Sequence, residues 1–256
     1  VKNHGVDASL TLNQKIGQVN LSARGNFTFA RNEIIEYDQV PQVYPWLEKR
    51  GTRLNSNKLY IAEGLYTYDD FIINGEGLNR TYELKPGVVS GLSSGVRPGD
   101  IKYKDQNGDG IIDAEDEIAI GRSNYPELVY GLNLNAEWKG FDITFFFQGA
   151  ALADFYYNGY LAFPYIEGRG GALLEHHIGN TWTPENPKAE FPRLYYGGNA
   201  NNQLFSSFWM RNGSYLRLKN VEIGYDFKKL LLSKVSEIQG LRLYFSGSNL
   251  LTWSQI

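Results

Sequence analysis

Tyr130 to Gly149 reads YGLNLNAEWKGFDITFFFQG, and it folds on paper into one hairpin with few free choices. Turned about Lys139 and Gly140, it pairs Trp138 with Phe141, Ala136 with Ile143, Leu134 with Phe145 and Leu132 with Phe147. Because side chains alternate along a strand, these residues share one face, and that face is entirely apolar. The other face pairs Glu137 with Asp142, Asn135 with Thr144, Asn133 with Phe146 and Gly131 with Gln148, a mostly polar set that wants water. Gly at the second central position suits a tight primed turn, with Lys139 an uncommon first residue. Each arm runs about nine or ten residues, the length of a tilted strand crossing a bilayer. A sandwich hairpin with one face on a soluble core is the alternative.

Composition narrows the class. The chain has 256 residues, with 18 Tyr, 14 Phe, 5 Trp and 28 Gly, a mix that leans towards β structure. Its net charge is −3 and no basic run exceeds two residues, so the electrostatic footprint of a nucleic-acid partner is missing. With 0 Cys there is no disulfide, thiolate metal site or cysteine nucleophile. No apolar run is long enough for a spanning helix, so any membrane is met with strands.

Along the chain, Val6, Ala8, Leu10 and Leu12 alternate with polar residues, and after a turn expected at Asn13-Gln14-Lys15 the pattern resumes at Val19, Leu21, Ala23, Gly25, Phe27 and Phe29. This predicts a second hairpin with one oily face. Arg31 to about Ser94 loses the alternation, keeping short strand-like pieces at Lys58 to Ala62 and Thr81 to Leu84. A second long connection runs from about Ala151 to Ser207. Connections of that length are rare in a soluble domain, whereas outer-membrane barrels pair short turns on one side with long loops on the other. Strand pattern returns at Val221, Ile223, Tyr225 and Phe227. Leu216 and Leu218 have the opposite parity, which a bulge near Lys219 and Asn220 would reconcile. Lys228 to Val235 reads as a short helix or turn, and Leu241, Leu243, Phe245 and Gly247 alternate with Arg242, Tyr244, Ser246 and Ser248. If these strands line a barrel, Leu132, Leu134, Phe145, Phe147, Val221, Ile223, Leu243 and Phe245 face lipid, while Asn133, Asn135, Thr144, Gln148, Glu222 and Arg242 face the lumen. Three such hairpins cannot close a barrel alone, so the expectation is a longer polypeptide.

The segments YIAEGLY (Tyr60 to Tyr66), GDIKYKDQNGDGIIDAEDEIAIG (Gly99 to Gly121), YGLNLNAEWKGFDITFFFQG, SYLRLKNVEIGYDF (Ser214 to Phe227) and LRLYFSGSNLLTW (Leu241 to Trp253) together resemble the SusC/RagA family of TonB-dependent outer-membrane transporters. The resemblance implies an all-β fold: residues 1–256 as the C-terminal portion of a large transmembrane antiparallel β-barrel with long extracellular loops, incomplete at both ends. The family barrel has roughly 22 strands around a plug; the plug domain, the TonB box, the early strands and the closing strand are absent from this sequence. It further implies residence in the outer membrane, contact with membrane lipid, energy from the TonB complex through the missing N-terminal part, a SusD-like lipoprotein partner, and a glycan or peptide substrate. The reading from another class is a secreted, calcium-binding, β-rich adhesion or carbohydrate-binding module.

Catalytic patterns are weak. Gly91-Leu92-Ser93-Ser94-Gly95 matches a nucleophile elbow, but Pro86-Gly87 and Pro98-Gly99 bracket it where a strand and a helix are required. His176 and His177 are adjacent, so in regular backbone they point apart and cannot chelate one ion. No spacing among the carboxylates fixes a glycosidase pair. The chain reads as a non-enzyme. The long connections carry Tyr44, Trp46, Tyr60, Tyr66, Tyr68, Phe155, Tyr156, Tyr157, Tyr160, Tyr165, Tyr195 and Tyr196, which either stack on ligand or form interfacial girdles.

One spacing carries metal chemistry. Asp105 to Asp116, DQNGDGIIDAED, presents Asp105, Asn107, Asp109, the carbonyl of Ile111, Asp113 and Asp116 at positions 1, 3, 5, 7, 9 and 12 of an EF-hand-like loop, with Gly110 at the sharp turn. Hard oxygen donors in that order suit calcium in a structural role. Asp116 replaces the usual Glu, and the flanks read as extended chain, so a single loop between strands is expected rather than a helix pair.

Overall fold

The computed structural model describes residues 1–91, 95–165, 172–227 and 240–255. Leu92 to Ser94 of the elbow motif and the Lys228 to Val235 segment lie outside them. In chain order the strands are β1 (Lys2–Ile16), β2 (Val19–Glu33), β3 (Asn57–Leu59), β4 (Ala62–Leu65), β5 (Phe71–Asn74), β6 (Thr81–Leu84), β7 (Ile101–Tyr103), β8 (Ile118–Ile120), β9 (Leu128–Trp138), β10 (Phe141–Ala151), β11 (Asp154–Tyr156), β12 (Met210–Asn212), β13 (Tyr215–Asp226) and β14 (Arg242–Ser254). The helical pieces are single 3-10 turns. The chain divides into two units: residues 1–33, 122–155 and 212–256, and residues 34–121 and 156–211.

The first unit is one antiparallel sheet in the order β1-β2-β9-β10-β13-β14. Its central hairpin has the register expected from the sequence, Trp138 opposite Phe141 through Leu132 opposite Phe147. Lys139 and Gly140 both take positive φ, 50° and 96°, as a primed turn matching strand twist demands. The first hairpin turns later than expected. Asn13, Gln14 and Lys15 stay extended opposite Ser22, Leu21 and Asn20, and the chain reverses at Gly17-Gln18, where Gly17 takes φ 61°. Polar residues had signalled a turn at Asn13, but Asn13 and Lys15 are ordinary occupants of the wet face, and Gln14 stands opposite Leu21 near the turn end of the other. The expected bulge is present: Phe146 pairs with Asn220 and Phe147 with Leu218, leaving Lys219 as the extra residue. Leu216 and Leu218 thereby rejoin the face of Val221 and Ile223. Among the described residues, β1 and β14 are each paired on one side only.

The two long connections are not the irregular loops their composition implied. With the residues that follow each of them they make a unit, 34–121 and 156–211, with its own core, in which Tyr60, Ile101, Tyr103 and Ile112 from the first segment pack with Phe163, Phe191 and Trp209 from the second. Leu59, Ile101 and Trp209 are fully buried, and an aliphatic side chain so placed contributes ~1.5–3 kcal/mol relative to exposure. Strands pair in twos, β3 with β8, β4 with β7 and β5 with β6. Side chains supply much of the remaining cross-linking. Asp100, 1% exposed, accepts from Arg97 N, Asn199 Nδ2 and Asn202 Nδ2 and is ion-paired to Arg193 at 2.8 Å. Asn201 Nδ2 donates to Ile101 O and the Tyr103 hydroxyl donates to Asn201 O.

Candidate functional site

The polar face of the sheet is the first candidate. Its strands place Glu137, Asn135, Asp142, Thr144, Glu222 and Arg242 on one side, around a cavity of about 840 Å³ that also reaches Lys15, Gln18 and Asn20. Asn135 Nδ2 donates to Thr144 Oγ1 across one strand pair. Arg242 reaches further. Its guanidinium donates to Asp142 Oδ1 at 3.1 Å and Oδ2 at 2.5 Å, and to Glu222 Oε1 at 2.5 Å, so β14, β13 and β10 are joined by one cation. The lane it crosses is Gly224, which sits opposite Asp142 and leaves the backbone bare. With Glu137 and Asp142 facing each other across the β9–β10 pair, Arg242 also offsets the like charges that the sequence places there. Sequence alternation put Glu222 and Arg242 on this face; their union was not foreseen.

The opposite face is apolar and open to the surroundings, with Ile223 51% and Phe245 77% exposed. A middle row of Leu12, Ala23, Leu134, Phe145 and Val221 is aliphatic apart from Phe145. Aromatics flank it. At the turn end Trp138, Phe141 and Tyr225 stand side by side, Phe141 and Tyr225 with ring centroids 4.4 Å apart. At the other end Phe27, Tyr130 and Trp253 lie in one row, with Gly149 and Leu216 between the last two. Tyr130 and Trp138 are eight residues apart, about 27 Å along a strand, or roughly 21 Å of height at barrel tilt, near the ~25 Å band between the girdles of an outer-membrane barrel. The girdle-like aromatics are thus on the strands, and the sequence reading had sought them in the connections. Several aromatics from the connections do neither job expected of them. Tyr60 and Tyr66 are core residues, 7% and 0% exposed. Burial, then Glu117, pushes the Tyr60 phenol up to about 12, which keeps it a neutral donor.

The Asp105 to Asp116 loop lies between β7 and β8, as expected. Asp105 accepts from the amides of Gly108 (2.6 Å) and Gly110 (2.7 Å). Asp109 accepts from Ile111 N, and Asp113 from Glu115 N. Asp116 is fully buried, and its two oxygens take the amides of Gln106, Asn107 and Asp113. Asn107 Nδ2 donates to Asp109 and Glu115. The side chains curl onto their own backbone, and among the described residues no three His, Asp or Glu side chains gather as a metal cage. The donor set is nonetheless one calcium accepts: apart from Asp116 Oδ1, which takes two amides, these carboxylate oxygens keep a further lone pair beyond the amide bond.

His176 and His177 do not point apart. In the 3-10 turn that carries them, both Nε2 atoms meet the carbonyl of Leu161, at 2.9 and 3.0 Å, and the rings are 4.1 Å apart. The expectation assumed regular backbone, and a tight turn removes that premise.

No family model matches the chain. It is 33% identical over 166 residues to TonB-dependent receptor P26 of Formosa agariphila, an alignment covering 65% of this chain and 16% of the relative. It is 26% identical over 153 residues to TonB-dependent receptor SusC of Bacteroides thetaiotaomicron, covering 60% and 14%. A chain in the structure of the RagAB peptide importer in the open-open state matches at TM-score 0.64 and 24% identity, over 99% of this chain and 25% of that one. The closed-closed state matches at 0.64 and 25%, over 99% and 26%. The chain spans about a sixth of the length of two of the curated relatives it matches, 16% of each. The antiparallel strands, the aromatic rows flanking the apolar face and these relatives agree: the chain is similar to the SusC/RagA-type TonB-dependent receptors.

Proposed function

We propose that this chain forms part of the barrel wall of a TonB-dependent outer-membrane importer, with the apolar face against lipid and the polar face along the transport path. The observation that carries the reading is the six-stranded sheet itself, apolar on one side and polar on the other, with aromatic rows a bilayer apart. The proposed partners are a SusD-like surface lipoprotein over the long connections, which would be extracellular, and the TonB complex acting through an N-terminal part. The proposed cargo is an oligosaccharide or a peptide; similarity to a solved peptide importer supports the peptide arm. The soluble-module alternative loses support because it leaves the whole apolar face in water.

The Asp105 to Asp116 loop is proposed as a structural calcium site. Its carboxylates would turn from their amides towards the ion, and the ion would relieve their mutual repulsion.

The test of transport is uptake. Cells expressing the full-length protein with its neighbouring lipoprotein are given labelled oligosaccharide and peptide pools, with and without a working TonB. The reading expects one pool to enter only when TonB works. Recovery of the full-length protein in the soluble fraction without detergent would sink it.

A further inference from the structure

We propose that His177 is a pH-sensitive latch, holding residues 172–180 to the Gly159–Leu161 turn while neutral and releasing them once protonated. His177 is fully buried. Its Nδ1 accepts from the Leu174 amide at 3.2 Å, so that nitrogen carries no proton, and its Nε2 faces the Leu161 carbonyl at 3.0 Å, so that nitrogen carries one. The tautomer is therefore set by its partners, and each ring nitrogen has a distinct task. A second proton can go only to Nδ1, where it would meet the Leu174 N–H head-on and break the hydrogen bond that closes the turn.

Among the described residues nothing around the ring compensates a charge. Phe191 stands edge-on at 4.6 Å, and in the same core cluster it packs with Trp209. From the Gly159–Leu161 turn the group that reaches the ring is the Leu161 carbonyl, while Tyr160 is half exposed. Glu175, on the same turn, is exposed. The neighbouring titratable group is His176, and its Nε2 also lies 3.2 Å from the Tyr157 hydroxyl. Arg211 sits over the Tyr157 ring at 5.7 Å and is itself paired with Glu190, so the cation on that side faces Tyr157 rather than His177. His176 differs in kind: when charged it still donates from Nε2 to Leu161, whereas His177 loses a bond.

Burial, and then His176, holds His177 below its ordinary 6.5. The neutral form is the folded one. Its contribution to stability is full above pH 6.5 and is lost as pH falls from there to the lowered value, each unit within that interval favouring release about tenfold. Phe163 and Phe191 belong to the core that joins the two long connections, so release at this turn would loosen that side of the core under acid and leave it closed at neutral pH.

Hydrogen–deuterium exchange on the full-length protein in detergent, with exchange times scaled for intrinsic pH effects, tests this. The expected result is a loss of protection of on the order of tenfold in peptides covering 156–165 and 172–180 as pH drops well below 6.5, with the β9–β10 hairpin unchanged. His176→Gln should keep the acid response and His177→Gln should abolish it. Because a buried substitution can prevent folding, the wild type carries the test alone if His177→Gln does not fold. No acid-dependent change in those two peptides, a change spread evenly over the protein, or the same response in folded His177→Gln would each overturn the latch.

Discussion

At Gly224 a β-carbon would fall 2.6 Å from Arg242 Nη2 and 2.8 Å from Asp142 Oδ1, so the charge bridge over three strands depends on a side chain that is not there. Alternation alone reveals which face Arg242 occupies. It cannot reveal that a glycine clears the way to Asp142, a residue 100 positions earlier. The Asp105 to Asp116 loop can be proposed from sequence for the opposite reason: all its donors lie within twelve residues, and their spacing is the signal. That loop gives a test at single residues. Wild type is expected to gain about 2.7 kcal/mol of stability when calcium is raised to roughly a hundred times its dissociation constant, measured by thermal denaturation against chelator. Asp105→Ala with Asp109→Ala should lose that increment. Since Asp105 also caps Gly108 and Gly110, the variant will be weaker even in chelator, and only the calcium-dependent increment is diagnostic. If wild type gains nothing from calcium, there is no site.

The strands were the most legible part. A two-residue period with one buried or lipid-facing side fixes register, because a slip by one position inverts every side chain; hence the β9–β10 pairing and the Lys219 bulge follow from the residues alone. Turn position in the first hairpin did not follow. Asn13, Gln14 and Lys15 carry turn propensity, yet Asn13 and Lys15 fit the polar face, Gln14 pairs with Leu21 on the other, and the positive φ of the turn falls at Gly17. The same logic predicts a difference between adjacent positions on β9. Leu134→Arg should disturb assembly by roughly 2–4 kcal/mol if it lies near the bilayer midplane, whereas Asn135→Arg should be tolerated. Heat-modifiability of the full-length protein on gels, and the yield of assembled barrel, report the difference. Equal behaviour of the two variants would remove the apolar stripe from the account.

For the molecule as a whole, composition and alternation read correctly as antiparallel β structure, while the folded unit of residues 34–121 and 156–211 was hidden. Its core joins residues about a hundred apart: Asp100 to Arg193, Tyr103 to Asn201, Ile101 to Asn202. Asn199, Asn201 and Asn202 carry that union, and a run of Asn in sequence signals a loop rather than buried amides. Aromatics there were read as ligand or interface residues because no local period separates a core tyrosine from an exposed one. The central claim concerns the sheet: one face meets lipid and the other meets water. Single cysteines at Leu134, Phe145 and Ile223, and at Asn135, Thr144 and Glu222, placed in a full-length protein freed of any other cysteine, can be labelled with a fluorophore in bilayers and quenched from either phase; this chain itself has 0 Cys. The account predicts that the first three are quenched by lipid-borne quencher and the second three by water-soluble quencher. Quenching of both sets from water alone would contradict it.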